Sequence, residues 1–250
     1  MKLNLATKIT LARIALLPFI AFFYIGALAF ANIDGMEFFV DYGRLIALVL
    51  FIIAAVTDFI DGKIARYVDP KTGKNTVTGL GNLLDTVADK LLIMLGLILL
   101  VADPIWYPDG LTGANTLPFP YWFAVLAVFI MIARDFIITL VKSISKEKLG
   151  TDLLADKLGK IKFVMQLVAI SLYMLFAFNL NPSVSFLNEF DNGVWFQIFQ
   201  YACVFIMAAA VVISVMSCVN YITDFASKLR AKEQTETKES EENGDRNNEK

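Results

Sequence analysis

Two short stretches decide the fold of this chain: DFIDGKIAR at residues 58–66 and GNLLDTVADK at residues 81–90. They carry four aspartates, and long apolar segments lie on both sides of them. Carboxylates are costly at membrane depth, so acids in this setting need a charge partner. On helices, residues three or four apart project from one face, separated by roughly 5 to 6 Å along the axis. The spacing therefore predicts an acidic cluster that holds divalent metal, formed by Asp58, Asp61, Asp85 and Asp89.

The rest of the chain has the composition of a polytopic membrane protein. Its 250 residues are 57% hydrophobic, which places it apart from soluble domains. A membrane span needs about 20 predominantly apolar residues. Six segments meet this need and predict an all-α integral membrane fold with six transmembrane helices: Ile14 to Ala31, Leu45 to Ile60, Leu83 to Val101, Trp122 to Val141, Phe163 to Phe178 and Phe196 to Val219.

The two ends of the chain differ from this apolar body. Residues 4–13, NLATKITLAR, are predicted to form an interfacial helix that feeds the first span, although plain juxtamembrane packing would give the same pattern. A cleaved signal peptide over residues 1–31 is a further alternative, disfavoured because the apolar run is long and rich in Phe and Tyr. Towards the C-terminus the chain becomes polar and charged. This predicts a membrane domain over residues 1–228 and a disordered charged tail over residues 229–250.

The basic residues predict the orientation of the spans. The connections at 33–43, 102–120 and 181–195 contain acids but no Lys or Arg, and Arg44 lies at the edge of the first. The other connections and both termini carry most of the Lys and Arg, which accumulate on the cytoplasmic side of short loops. We therefore expect a multi-pass protein of the cell membrane with both termini and the aspartates on the cytoplasmic side.

The chain contains no histidine, which restricts the chemistry that the acids can support. Serine–histidine triads and histidine-ligated zinc are excluded, whereas aspartate oxygens suit Mg²⁺ or Mn²⁺. Two such ions about 3.5 to 4 Å apart would neutralise a diphosphate. The alternative is that the acids cap helices or pair with Lys63, Arg66 and Lys90.

The two stretches also carry a recognisable signature. The pattern D-x-x-D-G-x-x-A-R, followed after a spacer by G-x-x-x-D-x-x-x-D, resembles that of the CDP-alcohol phosphatidyltransferases, and all eight of its fixed positions are filled here. The segments ARDFIITLVKSISKEKLG at 133–150 and ADKLGKIKFVMQLVAI at 155–170 are also similar to segments of that family. One departure is the spacer from Tyr67 to Leu80, which is longer than the usual run.

The resemblance implies a role for each signature residue. Asp58, Asp61 and Asp85 would be metal ligands, and Asp89 would be a ligand or the general base toward an acceptor hydroxyl. The CDP moiety would be cradled by Gly62, Ala65, Arg66 and Gly81. The planar fork of Arg66 suits diphosphate oxygens, while helix packing or a turn is the alternative explanation for each glycine.

Within the family, the chain looks most like the members that transfer a phosphatidyl group from CDP-diacylglycerol to sn-glycerol 3-phosphate. An acceptor phosphate needs cations, and the residues assigned to it are Arg134, Lys142 and Lys160, with Lys157 and Lys162 also available. Arg134 sits inside a predicted span, so it must face a cavity or an acid, such as Asp135 or a signature aspartate. Positive-inside topology or anionic lipid headgroups would equally explain the lysines.

Further expectations follow from the same resemblance. The partners would be the two substrates and membrane lipids, the protein would be a homodimer, and no nucleic acid would bind. Two alternatives stay open at this point: the same chemistry with inositol phosphate, serine or phosphatidylglycerol as acceptor, and, from a different class, a small membrane transporter.

Overall fold

The described part of the chain forms six long α-helices. The computed structural model describes residues 5–30, 33–64, 79–103, 121–149, 157–179 and 194–248, and no strand occurs within these ranges. The helices are α1 (Leu5–Ala29), α2 (Glu37–Ile64), α3 (Gly79–Ala102), α4 (Tyr121–Leu149), α5 (Lys157–Asn179) and α6 (Val194–Asn248). The all-α, six-helix fold predicted from the hydrophobic pattern is therefore confirmed.

Five of these helices are long and apolar enough to cross a membrane: the stretches Thr7–Ala29, Glu37–Thr57, Trp122–Ser145, Ile161–Phe178 and Tyr201–Lys232 in the described residues. Each overlaps one of the predicted spans. The sixth predicted span, Leu83 to Val101, lies within α3 and is not among the five. Large apolar side chains point outward from the helices, with Phe205 74% and Phe129 67% exposed. Such surfaces favour lipid over water, and the chain is a multi-pass membrane protein.

The chain divides into two compact units. The first comprises Met1–Val128 and Val164–Ala208, and the second comprises Phe129–Phe163 and Ala209–Lys250. In the first unit, α1 packs against both α2 and α3. Its core is built from aliphatic and aromatic side chains, such as Ile20, Ala47, Phe51, Leu97 and Ile170, all almost fully buried. In the second unit, Ile138 and Tyr221 are buried and pack with Val141, Cys218 and Phe225.

A polar cluster at one end of the first unit joins α1, α2 and α5 to Asp103, the residue that follows α3. The hydroxyl of Tyr24 on α1 donates to Asp103 Oδ2 at 2.8 Å. Arg44 on α2 pairs with the same carboxylate, Nη2 donating to Oδ1 at 3.3 Å, and its Nη1 donates to the carbonyl oxygen of Ala177 on α5 at 3.1 Å. Because Arg44 lies near the start of α2 and Asp103 just after the end of α3, these two helices run antiparallel.

The closest approach of α1 and α2 depends on a glycine. A Cβ at Gly43 would lie 2.6 Å from the carbonyl oxygen of Phe23 and 3.0 Å from the Cβ of Ala27. No side chain fits at this distance from a backbone oxygen. Gly43 therefore allows the first turns of α2 to pack directly on the backbone of α1.

The outer helices extend into both chain ends. Residues 5–13 of the segment predicted as an interfacial helix form the first turns of α1, which continues without a break to Ala29. At the other end, α6 extends to Asn248, through the segment for which the sequence predicts a disordered tail. A helix that is already nucleated can propagate at little cost. The tail is also rich in Glu, Lys and Gln, which have high helix propensity.

Two charges used to predict the orientation have a different role. Arg44 and Asp103 were assigned to the edges of non-cytoplasmic connections, but they form one buried ion pair, with Asp103 only 2% exposed. Paired and buried charges say little about loop composition. The predicted orientation therefore depends on the remaining basic residues.

Candidate active site

The four signature aspartates all lie on helical backbone. Asp58 and Asp61 occupy the last two turns of α2, and Asp85 and Asp89 occupy the second and third turns of α3. The helical spacing of three and four residues within each pair is therefore as predicted. The side chains of Asp58, Asp61 and Asp85 lie outside those that the structure describes, whereas that of Asp89 lies within them.

The helices α2 and α3 are antiparallel, and the ion pair of Arg44 with Asp103 joins them at the end away from the aspartates. This pair serves as the reference for the position of each aspartate along the two helix axes. Asp58 follows Arg44 by 14 residues, and Asp89 precedes Asp103 by 14 residues, so both lie about 21 Å from that pair at 1.5 Å per residue. Asp61 and Asp85 are 17 and 18 residues away from the same pair, or about 26 and 27 Å. The backbone thus places the four aspartates at two levels, with one from each helix at each level.

Asp89 is held by a residue of α1. The Nη1 atom of Arg13 donates to Asp89 Oδ1 at 2.8 Å, and the two residues form an ion pair. The side chain of Arg13 is 0% exposed, whereas that of Asp89 is 31% exposed. An ion pair between charged groups in a poorly solvated site is strong when it is also hydrogen-bonded. Arg13 is thus a charge partner of Asp89 that the sequence analysis did not single out.

The predicted CDP cradle lies only partly in the described residues. Gly62 is in the last turn of α2 and Gly81 in the first turn of α3. Ala65 and Arg66 lie outside the described residues. The two glycines therefore flank the connection between the helices, at the end of α2 and α3 that carries the aspartates.

The second unit contains a buried cluster around Arg134. This residue is 8% exposed and donates from Nη1 to Asp135 Oδ1 at 2.9 Å. Its Nη2 donates to Ser217 Oγ at 2.6 Å and its Nε to the carbonyl oxygen of Ser214 at 3.3 Å. Lys162, also buried, pairs with the same carboxylate of Asp135. Two cations therefore converge on one carboxylate inside helices that qualify as membrane spans.

The two other cations assigned to the acceptor phosphate have different surroundings. Lys142 is exposed, and its ammonium lies over the ring of Tyr221, 5.1 Å from the centroid. Lys160 is in the first turn of α5, and its side chain lies outside those described. Of the alternative partners for Arg134, the structure shows Asp135.

The predicted metal site is not tested by the described side chains. Among them, no group of three or more Asp, Glu or Cys could hold a metal ion, and three of the four proposed ligands are outside that set. The sequence analysis offered Lys63, Arg66 and Lys90 as alternative partners of the acids. The structure shows that Asp89 pairs with Arg13 on another helix.

The sequence analysis did not identify the polar residues that join the helices carrying the acids. Arg13, Tyr24, Arg44 and Asp103 were either used only for orientation or not noted. The signal was available, because a charged residue inside an apolar span requires a partner. The identity of each partner was not available, since the pairs are 59 to 79 residues apart in sequence.

Comparison with known proteins extends the resemblance to most of the chain. A family model described as CDP-alcohol phosphatidyltransferase matches residues 3–216. The chain is 32% identical over 196 residues to the CDP-diacylglycerol–glycerol-3-phosphate 3-phosphatidyltransferase of Bacillus subtilis, covering 78% of this chain and 88% of that protein.

Two further relatives of the same name are slightly less similar to the chain. The protein from Wigglesworthia glossinidia brevipalpis is 30% identical over 171 residues, and the protein from Escherichia coli K12 is 29% identical over 174 residues. Each match covers 68% of this chain and 76% of the relative. No solved structure matches the chain.

Proposed function

Because the chain belongs to the CDP-alcohol phosphatidyltransferase family, we propose that it transfers the phosphatidyl group of CDP-diacylglycerol to sn-glycerol 3-phosphate. The products are phosphatidylglycerophosphate and CMP. The relatives that are named for this activity are up to 32% identical to the chain and are covered over most of their own length. That agreement favours glycerol 3-phosphate over other acceptors, and favours an enzyme over a transporter.

The observation that carries this proposal is the two-level arrangement of the aspartates on α2 and α3. With one acid from each helix at each level, the four carboxylates would supply hard oxygen donors at the end of an antiparallel helix pair. That donor chemistry fits Mg²⁺ or Mn²⁺, and Asp58, Asp61, Asp85 and Asp89 would hold two such ions. When bound, these ions neutralise the diphosphate and the departing phosphate.

The residues of the chain have separate tasks in the reaction. The acceptor hydroxyl oxygen attacks the phosphorus that carries diacylglycerol, and the bond from that phosphorus to the CMP oxygen breaks. Asp89 takes the proton of the hydroxyl as the general base. Arg66 binds diphosphate oxygens through its planar fork, and Gly62, Ala65 and Gly81 let the CDP moiety approach the backbone closely.

We assign the acceptor phosphate to the cations of the second unit, Arg134, Lys142 and Lys160. Arg134 is the best supported, because a buried guanidinium inside a membrane span is costly and is kept for a function. Three of its nitrogens already donate to protein atoms. The guanidinium has five N–H groups in all, so it can bind a phosphate oxygen while it stays anchored to Asp135 and Ser217.

The orientation and assembly of the protein are part of the same proposal. The excess of Lys and Arg in the connections that precede α3 and α5 and at both termini favours a cytoplasmic location for the aspartates. Both water-soluble components, glycerol 3-phosphate and CMP, would then exchange with the cytoplasm. Membrane lipids surround the exposed apolar faces, and a homodimer is proposed by family resemblance alone.

The decisive experiment is an acceptor panel with the purified protein. Release of CMP from CDP-diacylglycerol is measured with glycerol 3-phosphate, inositol phosphate, serine or phosphatidylglycerol in the presence of Mg²⁺. We expect glycerol 3-phosphate to give the highest kcat/KM. We also expect activity to vanish in excess EDTA and to return with Mg²⁺ or Mn²⁺, because all four proposed ligands are carboxylates.

Each outcome bears on a different part of the proposal. Faster turnover with another acceptor would retain the reaction class and overturn the named substrate. Full turnover in excess EDTA would overturn the metal assignment. Absence of CMP release with every acceptor would overturn the enzymatic function itself.

A further inference from the structure

The buried face of α1 changes character along its length. Its buried residues recur every three or four positions, which is the spacing of one helical face. They are polar at the start of the helix and apolar after it: Thr7, Thr10 and Arg13, then Leu17, Ile20, Tyr24 and Ala27. Most outward positions are apolar, including Leu11, Phe19 and Phe22, although the exposed Lys8 lies near the start of the helix. The polar part of the buried face lies at the level of the signature aspartates.

Arg13 is the charged residue on this face. It is among the largest fully buried side chains in the described residues, and it lies inside a stretch that qualifies as a membrane span. Burying a guanidinium there is unfavourable unless it binds an acid. Its acid is Asp89, 76 residues away in sequence, which is the general base of the proposed function.

The contact is one-sided. Arg13 is completely buried, while nearly a third of the Asp89 side chain is accessible. The guanidinium therefore meets the carboxylate from a buried position, while part of the carboxylate stays accessible. Rotation about the last torsion of an aspartate is otherwise broad. A charge-assisted bond of 2.8 Å restricts that rotation and orients the carboxylate.

The packing of α1 against α3 determines where Arg13 lies. Besides the contact of Arg13 with Asp89, Tyr24 of α1 donates a hydrogen bond to Asp103 at the end of α3. Arg13 and Tyr24 are 11 residues apart, and Asp89 and Asp103 are 14 apart in the same direction, so α1 and α3 run parallel. Two polar contacts at separate levels fix the register of the two helices, and this register keeps Arg13 behind Asp89.

We propose that Arg13 is a positioning residue for phosphatidyl transfer, which orients the carboxylate of Asp89 toward the reacting hydroxyl. The proposal rests on the proposed function. Because the Arg13 side chain is fully buried and pairs with Asp89, its effect on the reaction passes through that carboxylate. Its removal should therefore lower kcat and leave the KM for CDP-diacylglycerol nearly unchanged.

The pair of polar contacts supplies a matched control. Arg13→Gln removes the charge-assisted contact to Asp89, whereas Tyr24→Phe removes only the hydroxyl that donates to Asp103. Both variants weaken a buried contact between α1 and α3. We expect both to lower the unfolding temperature, but only Arg13→Gln to lower kcat, by about tenfold to 100-fold. Arg13→Lys keeps the charge and should recover part of that loss.

A double-mutant cycle separates positioning from a general structural role. Asp89→Asn alone should lower kcat by about 100-fold or more. If Arg13 acts through Asp89, Arg13→Gln should cause no further loss of kcat in the Asp89→Asn protein. Rates are compared per folded protein, and Arg13→Lys replaces Arg13→Gln in the cycle if the latter does not fold.

Three results would overturn the proposal: wild-type kcat in the Arg13 variant, the same fractional loss of kcat with and without Asp89, or an equal loss of kcat in Tyr24→Phe. Failure of the proposed function would look different. In that case, the wild-type protein itself would release no CMP in the presence of glycerol 3-phosphate.

Discussion

At the scale of single residues, three arginines in the described helices each form an ion pair with an aspartate. Arg13 binds Asp89, Arg44 binds Asp103, and Arg134 binds Asp135. An unpaired charge at these depths would cost several kcal/mol, and removing one partner would leave the other unsatisfied. Each pair therefore has a structural part as well as any part in the reaction, and experiments must separate the two.

Arg134→Gln tests the assignment of the acceptor phosphate. A charge-assisted contact to phosphate contributes roughly 1.5 to 3 kcal/mol, so we expect the KM for glycerol 3-phosphate to rise about tenfold or more. The KM for CDP-diacylglycerol should change much less, because its diphosphate is assigned to Arg66 and the metals. Steady-state kinetics with each substrate varied in turn measure both values.

Ser217→Ala is the control for this variant. It removes the hydroxyl that accepts from Arg134 at 2.6 Å but keeps the cation. We expect lower thermal stability and a smaller change in the KM for glycerol 3-phosphate. Equal changes in that KM for the two variants would mean that the cluster is structural, and that the acceptor phosphate binds elsewhere.

At the scale of the helices, close packing in the first unit depends on small residues. Gly43 lets α2 approach the backbone of α1, and the nearby Arg44 joins α2 to Asp103. Small residues at helix interfaces are a general means of close packing in membranes, where apolar side chains gain little from leaving lipid. The level of the aspartates on α2 therefore depends on a contact at the far end of the same helix.

Gly43→Ala should destabilise the protein. Its Cβ would lie 2.6 Å from the carbonyl oxygen of Phe23, and overpacking of this kind costs about 1 to 3 kcal/mol. Gly159→Ala is the matched change, since the nearest atom to its Cβ is the hydroxyl oxygen of Tyr221 at 4.0 Å. There, higher helix propensity should stabilise the protein by up to about 1 kcal/mol. Thermal unfolding in detergent should show shifts of opposite sign, and a shift of the same sign would contradict this account of α1 and α2 packing.

At the scale of the whole molecule, the family match ends before the polar end of the chain. The match ends at residue 216, and the serine hydroxyl that Arg134 contacts on α6 belongs to Ser217. Beyond Ser217, α6 continues to Asn248 with a sequence dominated by polar and charged residues. The residues assigned to the reaction all precede this segment, so we expect its removal to have little effect.

Removal of residues 229–250 should leave the rate of CMP release within about twofold of the full chain, because every residue assigned to the reaction precedes this segment. The control is a chain that ends at residue 213, which also loses Ser214 and Ser217 and should lose activity. A large loss of activity in the shorter truncation would assign a catalytic or regulatory role to the tail.

The sequence by itself determined the class of fold and the candidate acids. Hydrophobic runs of membrane length are a local property, and so is the helical spacing of Asp58 with Asp61 and of Asp85 with Asp89. Both predictions therefore needed no knowledge of tertiary contacts. The same local reasoning did not reveal that α1 begins at Leu5 and that α6 extends to Asn248 as single helices.

Only the tertiary structure decided which distant residues meet. The pairing of Arg13 with Asp89 and of Tyr24 and Arg44 with Asp103 joins residues 59 to 79 positions apart. The sequence shows that each buried charge must have a partner, because burial without one is too costly. It does not show which partner, because that depends on the direction and register of packed helices. Direction and register depend on the close contact at Gly43 and on the two polar contacts between α1 and α3, Arg13 with Asp89 and Tyr24 with Asp103.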